Sequence, residues 1–267
     1  KPDYLEIMDR IVERNSSLMG RLGRIKRFLT GENIEAKDPN VVTNIWRRMR
    51  FSAQEELNRE TYKLLRRASF DDIKDKKYVF IGFHKQTESS IDVLGRYFED
   101  QSQNVINIWR NLPPDWILVM KEHTNAIGDR GYAFYKKLLK YPNIVLINET
   151  VDSHTIIKNS QLVFTVSGTI ALESALLGVP AITLTPTFFN KMKYCRYMTW
   201  IDIQEQGGLE KICNSIKSED NNVQEYKDFI LKNSYEGNPT DLYTDPDVLN
   251  KENIEKVIFA FSEVFDL

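Results

Sequence analysis

The chain has 267 residues, of which 42% are hydrophobic and 11% aromatic, with a formal net charge of -2 and a mean hydropathy of -0.42. That is enough apolar matter for a sizeable core, in one large α/β domain or a domain and a half. The near-neutral balance, with no interleaving of basic and aromatic residues, speaks against nucleic acid as a partner, and no apolar run approaches the roughly 20 residues of a membrane-spanning helix. Cys195 and Cys213 form no CxxC site and are too few for a disulfide framework. His84, His123 and His154 make no pair at metal-binding spacing, so a cytoplasmic setting fits and no structural zinc is expected.

The chain opens at Lys1 directly into an amphipathic pattern, without a signal peptide. This reads equally as a piece of a longer protein, with a preceding domain missing, or as a processed chain. Tyr4, Leu5, Met8, Ile11 and Val12 recur at helical spacing, as do Leu18, Leu22, Ile25 and Leu29, and a further helix is predicted over Val42 to Arg67. This helical N-terminal segment is expected to span residues 1–75. Its first 70 residues hold 15 Lys and Arg against 10 Asp and Glu, with clusters at Arg21, Arg24, Lys26, Arg27 and at Arg47, Arg48, Arg50. Such clusters suit anionic headgroups at the cytoplasmic face of an inner membrane, or a charged glycan. They equally suit plain solvated helix faces.

From Lys77 strands and helices alternate, predicting a Rossmann-like domain over 76–267. Strands are expected at Tyr78 to Phe83, Trp116 to Met120, Asn143 to Ile147, Leu162 to Val166 and Ala181 to Leu184. Helices are expected within Ser90 to Trp109, with Val93, Leu94, Tyr97 and Phe98 on one face, and over Tyr132 to Lys140 and His154 to Lys158. Short apolar strands separated by helices imply an α/β fold, a parallel sheet with helices on both faces, whose ligands bind beyond the carboxyl ends of the strands. Past Pro186 the pattern is weaker. Trp200 to Ile203 begins an element, Thr187 to Asn190 offers aromatics to core or ligand, and helices are expected at Leu209 to Ile216, Val223 to Asn233 and Asn253 to Phe265.

The densest signal is QLVFTVSGTIALESALLGVPAITLT, Gln161 to Thr185. It holds a strand, a small-residue turn, a helix stopped by Gly178 and Pro180, and a second strand. The first helical turn in such a unit favours an anion, and Gly168 permits close backbone approach. Ser167, Gly168 and Thr169 are therefore candidate phosphate ligands, although Ser and Thr there also serve as ordinary helix caps. Glu173, one turn further along the same side, could accept from a ribose or be a solvated helix residue.

Two more polar clusters follow strand ends: His84-Lys85-Gln86-Thr87-Glu88-Ser89-Ser90 and Lys121-Glu122-His123-Thr124. Lys121 and His123 can donate to phosphate, while Gln86, Ser89 and Glu88 are candidates for sugar recognition or proton transfer. Lys121 is also read as a neutralising partner of Glu122.

The segments FHKQTESS, LPPDWILVMKEHTNAIGDRGYAFYKKL and VFTVSGTIALESALLGVPAITL resemble the capsule polysaccharide biosynthesis family, which includes bacterial Kdo transferases, over about residues 77 to 190. The likeness lies in a QPE-type motif, a KEHP motif followed by Gly-Arg, and a TxSGTxxxEA-like turn and helix. Thr87 and Thr124 stand where the family usually has proline, which would fix the local backbone. The resemblance implies the nucleotide-sugar lobe of a GT-B glycosyltransferase, CMP-linked donors among its substrates, and phosphate contacts by His123 and by Ser167 with Thr169. The expected function is transfer of a sugar from a nucleotide-activated donor to a surface or capsular glycan or glycolipid. Glu88 and His123 are then the catalytic pair, Lys121 assists at the phosphate, and Glu173 holds the ribose. The donor is a substrate, no separate cofactor is expected, and without a DxD motif the chemistry is expected to be metal-independent. A nucleotide-sugar epimerase or hydrolase, and a non-catalytic capsule-assembly module, are the alternatives.

Overall fold

The computed structural model describes Gly23, Lys26 and residues 45–240 and 245–265. The helices expected before residue 30, and the basic cluster around Arg21, Arg24 and Arg27, fall outside them except at Gly23 and Lys26. By internal contacts the chain divides into two units, one spanning Phe51–Lys227 and one made of Lys1–Arg50 with Asp228–Leu267.

The first unit holds a six-stranded parallel sheet. In chain order its strands are β1 (Tyr78–Gly82), β2 (Ile117–Lys121), β3 (Ile144–Leu146), β4 (Leu162–Thr165), β5 (Ala181–Thr183) and β6 (Cys195–Tyr197), arranged β3-β2-β1-β4-β5-β6. Register places Gly82 beside Lys121, Ile81 beside Phe164 and Thr165 beside Thr183. Strands β4 and β5 are buried along their length, as expected of a parallel sheet covered on both faces. Val79, Phe80, Leu118, Val163, Phe164 and Ile182 are fully buried. This is a Rossmann-like α/β fold, and its strand order reverses between β1 and β4.

The helices are α1 (Ile45–Lys63), α2 (Ser89–Asp92), α3 (Gln101–Arg110), α4 (Tyr132–Leu138), α5 (Ser153–Asn159), α6 (Ile170–Leu176), α7 (Trp200–Glu205), α8 (Leu209–Lys217), α9 (Val223–Lys232) and α10 (Lys251–Phe265). Their ends follow local chemistry. The Asp152 carboxylate caps α5 through the Thr155 N–H at 2.8 Å. Gly178 takes φ 77° after α6, where its N–H reaches the Ala175 carbonyl and that of Val179 the Ser174 carbonyl. This C-terminal motif needs a left-handed residue.

Several expectations differ from the structure. The single helix expected within Ser90 to Trp109 is broken into α2, a 3-10 turn at Arg96–Phe98 and α3. Val93, Leu94 and Tyr97, expected on one face of it with Phe98, are 70%, 69% and 90% exposed. The break has two causes. A Cβ on Gly95 would lie 2.6 Å from Val166 Cγ1, so this turn is pressed against the residue that follows β4. Asp100 then opens a new helix by accepting from the N–H groups of Ser102 and Gln103. Strand β6 was not foreseen; its three residues CRY carry no apolar run, and it pairs with β5 through Cys195 opposite Ala181.

The boundary expected after residue 75 lies inside the sheet-bearing unit. The reason is docking by the end of α1: Asn58 donates to the Gly128 carbonyl at 2.8 Å and Arg59 to that of Ile127 at 3.1 Å. Ala68 then bridges to Ile147 at the β3 edge.

Among the described residues, the other unit contains a 3-10 turn at Pro246–Leu249 and α10. The Asn238 N–H donates to the Asn253 Oδ1 at 2.7 Å. An open concavity of about 290 Å³ beside it is lined by Val248, Leu249, Ile254, Val257 and Ile258 among others and carries no titratable side chain. No helix among the described residues is long and apolar enough to cross a membrane.

Candidate functional site

The ends of β2, β1 and β4 are neighbours in the sheet, so the three polar clusters read from the sequence adjoin at one edge. That edge contains the point where strand order reverses, the usual ligand crevice of open α/β sheets.

His84 lies at its centre. The His84 N–H donates to Gln101 Oε1 at 2.7 Å, and its carbonyl accepts from Gln101 Nε2 at 3.0 Å and from Arg130 at 2.5 Å. Its ring Nε2 is 2.9 Å from Thr165 Oγ1. Burial, with the Arg130 and His123 charges, pushes the imidazole down to about 4, so the ring is neutral near pH 7.

Thr165 Oγ1 also accepts the Gly168 N–H at 3.1 Å. A Cβ on Gly168 would sit 2.8 Å from that oxygen and 3.1 Å from His84 Cε1. Glycine here admits two protein side chains at close range, and its amide is already engaged. Ser167, expected to face phosphate, donates its hydroxyl to the Ser90 carbonyl at 2.5 Å. Thr169 is exposed at the N-cap of α6 and makes no side-chain cap bond.

Beneath the β2 end lies a buried ion pair. Glu122 and Arg130 have side-chain exposures of 0% and 9%, with Arg130 2.8 Å from Glu122 Oε1. Glu122 also accepts from the His123 N–H and from the Tyr135 hydroxyl. Burial pushes its carboxyl up, and Arg130, Tyr135 and the His123 amide pull it back. The guanidinium stacks 5.2 Å from the Phe83 ring centre and 5.5 Å from that of Phe134. Arg130, and not Lys121, is thus the partner of Glu122.

Lys121 turns away, donating to the Val151 carbonyl at 2.6 Å and to Ser153 Oγ at 2.8 Å. Its burial pushes the ammonium pKa down, against Asp152 and Glu149. One residue on, His154 Nε2 lies 3.2 Å from Glu173. Lys121 and Glu173 are therefore both bonded to the start of α5.

His123 is exposed at its edge, while partial burial of its ring pushes its pKa down; the Glu88 charge acts the other way, and Lys85 and Arg130 add to the lowering. His123 and Glu88 are therefore within electrostatic reach of each other. His123 Nδ1 accepts the Asn125 N–H at 3.2 Å, which leaves Nε2 as the proton-bearing nitrogen of the neutral ring. Glu88 and Ser89 are exposed at the start of α2. Gln86, expected to face a sugar, is held inside its own loop. It accepts from Gln101 at 2.9 Å and donates to Asp92 Oδ1 and the Glu99 carbonyl.

The structure thus groups Glu88 and His123 with His84, Lys85 and Arg130, beside the Ser167-Gly168 turn. Arg130 is in the GDRG stretch of the second family-like segment, but nothing in its spacing marks Glu122 as its partner. Gln101 and Thr165 carry no sequence signal, because their roles depend on meeting residues distant in sequence, 17 and 81 positions away. Among the described residues, no group of three or more His, Cys, Asp or Glu is placed to hold a metal.

A family described as "Protein of unknown function (DUF354)" matches residues 112–230, which include His123 and the Ser167 turn. No curated protein matches the chain. Several solved structures are loosely similar. The Staphylococcus aureus MnaA-UDP co-structure is 19% identical with a TM-score of 0.41, over 61% of this chain and 48% of that one. The KpsC β-Kdo 2,7 transferase of Thermosulfurimonas dismutans is 19% identical with a TM-score of 0.38, over 65% and 50%. The UDP-GlcNAc 2-epimerase from Neisseria meningitidis bound to UDP-GlcNAc is 16% identical with a TM-score of 0.36, over 79% and 51%. The chain spans about half the length of these structures.

Proposed function

We propose that the Phe51–Lys227 unit binds a nucleotide-activated sugar at the carboxyl edge of β2, β1 and β4 and transfers the sugar to a glycan or glycolipid acceptor. The observation that carries this reading is that the loops after β1, β2 and β4 adjoin where strand order reverses, the first bonded to the second through Arg130 and to the third through Ser167. His123, its pKa held below the ordinary value by burial and its Nδ1 engaged, offers an Nε2–H to a phosphate oxygen and stabilises charge growing on the departing group. Glu88, exposed beside it, serves as base toward an acceptor hydroxyl or as a stabilising carboxylate. Thr169 is the exposed hydroxyl of the phosphate turn, Glu173 is the ribose acceptor, and a metal-independent mechanism remains part of the proposal.

The test is a calorimetric panel of CMP, UDP and GDP and their sugars, followed by turnover with and without glycan acceptors. A nucleotide-specific signal weakened about tenfold in His123→Ala, with acceptor-dependent turnover lost in Glu88→Gln, supports the reading. Turnover without an acceptor transfers it to an epimerase or hydrolase, and no binding of any nucleotide ends it in favour of a non-catalytic module.

A further inference from the structure

We propose that Gln101 is a positioning residue that aims the Glu88 loop, an inference that rests on the sugar-nucleotide reading of this edge. Strand β1 stops at Gly82, and its ladder with β2 ends where the Phe83 N–H donates to the Lys121 carbonyl. Without a further partner the His84 N–H would then be bare and its carbonyl would hold only the Arg130 guanidinium. Gln101, only 4% exposed, takes the place of a missing strand. Its Oε1 accepts the His84 N–H at 2.7 Å, and its Nε2 donates to the His84 carbonyl at 3.0 Å and to Gln86 Oε1 at 2.9 Å. Both amide hydrogens are engaged. Because His84 N–H can only donate, the orientation of the carboxamide is fixed as well.

The brace continues outward. Gln86 Nε2 donates to Asp92 Oδ1 at 3.2 Å, and Asp92 Oδ2 accepts the Glu88 N–H at 2.8 Å. Three links therefore run from a buried amide to the backbone of the carboxylate proposed to react. Gln101 can hold this position because it is the first residue of α3, where Asp100 fixes the helix start and side chains lean back toward the N-terminus. Its carboxamide is spent on His84 and Gln86, so its effect passes through the aim of Glu88.

The experiment compares Gln101→Met and Gln101→Glu with wild type, and with Gln103→Ala on the same helix as control. Methionine keeps the volume and loses every bond. Glutamate keeps the acceptor and regains a donor only when protonated. Expected at alkaline pH is a fall in kcat of about 10- to 100-fold for both, with KM for the nucleotide sugar little changed and Gln103→Ala unaffected. As pH is lowered, the activity of Gln101→Glu relative to wild type rises, while that of Gln101→Met stays flat. His84, Asp92, Glu99, Asp100 and Arg130 lie around the brace in all the proteins, so the ratio isolates the new carboxyl.

Wild-type kcat in Gln101→Met, a pH-independent ratio for Gln101→Glu, or losses that merely follow the unfolded fraction would overturn the proposal. Should wild type turn over no nucleotide sugar, the functional reading fails separately, and amide NMR decides on the brace. A Glu88 amide resonance displaced in Gln101→Met and pH-dependent in Gln101→Glu supports it; one unmoved in both refutes it.

Discussion

The ring Nε2 of His84 lies 2.9 Å from the hydroxyl of Thr165, a contact that ties β1 to β4 at the reversal of strand order. Two residues 81 positions apart in sequence thereby meet at the centre of the candidate site, with Gly168 packed against both.

Gly168→Ala is expected to disturb this contact directly, because its Cβ would press on Thr165 Oγ1 at 2.8 Å and His84 Cε1 at 3.1 Å. Overpacking of this kind costs about 1–3 kcal/mol. Urea denaturation should show that loss together with weakened nucleotide binding, and a variant with wild-type midpoint and affinity would refute the packing argument.

The pH dependence follows from the same imidazole. In the folded chain His84 takes a proton near pH 4, against an ordinary value of 6.5. Between these values the unfolded chain binds more protons, so stability is fully present above about 6.5 and falls as pH drops toward 4. The contribution is at most about 3 kcal/mol. His84→Gln should flatten the urea midpoint over that window, and an undiminished acid loss in the variant would assign the effect elsewhere.

Arg130→Met leaves Glu122 buried at 0% side-chain exposure without its cation. Breaking one side of such a pair costs about 3–5 kcal/mol. Replacing both partners, as Glu122→Gln with Arg130→Met, should cost less than the single change. The comparison is made by chemical denaturation, and additive losses would contradict the coupling.

Lys121 and His123 should separate cleanly. Lys121→Met removes bonds to Val151 and Ser153, so a lower Tm with unchanged nucleotide affinity is expected. His123→Ala should leave Tm nearly intact and weaken binding. The reverse pattern would return Lys121 to the phosphate.

The sheet was legible because its strands are short apolar runs; β1 to β5 all lie where LVFT, AIT and their counterparts predict them. Strand β6 was not legible, since CRY has no such pattern and is recruited by pairing alone. Val93, Leu94 and Tyr97 misled for a related reason: they have helical spacing, but Gly95 must sit against Val166 and the turn cannot continue as helix. Glu88 and His123 were visible as polar residues after strands. Sequence does not distinguish exposed groups from engaged ones: Gln86, Ser167 and Lys121, which the pattern offers to a ligand, are occupied by protein.

The bond from Ser167 Oγ to the Ser90 carbonyl and the seating of Gly95 on Val166 fasten the far end of the segment that begins at His84, as Gln101 and Arg130 fasten the near end. A stretch riveted at both ends does not swing open as a flap. Under the proposed function, a nucleotide sugar would therefore meet a loop already set in place rather than one that folds over it.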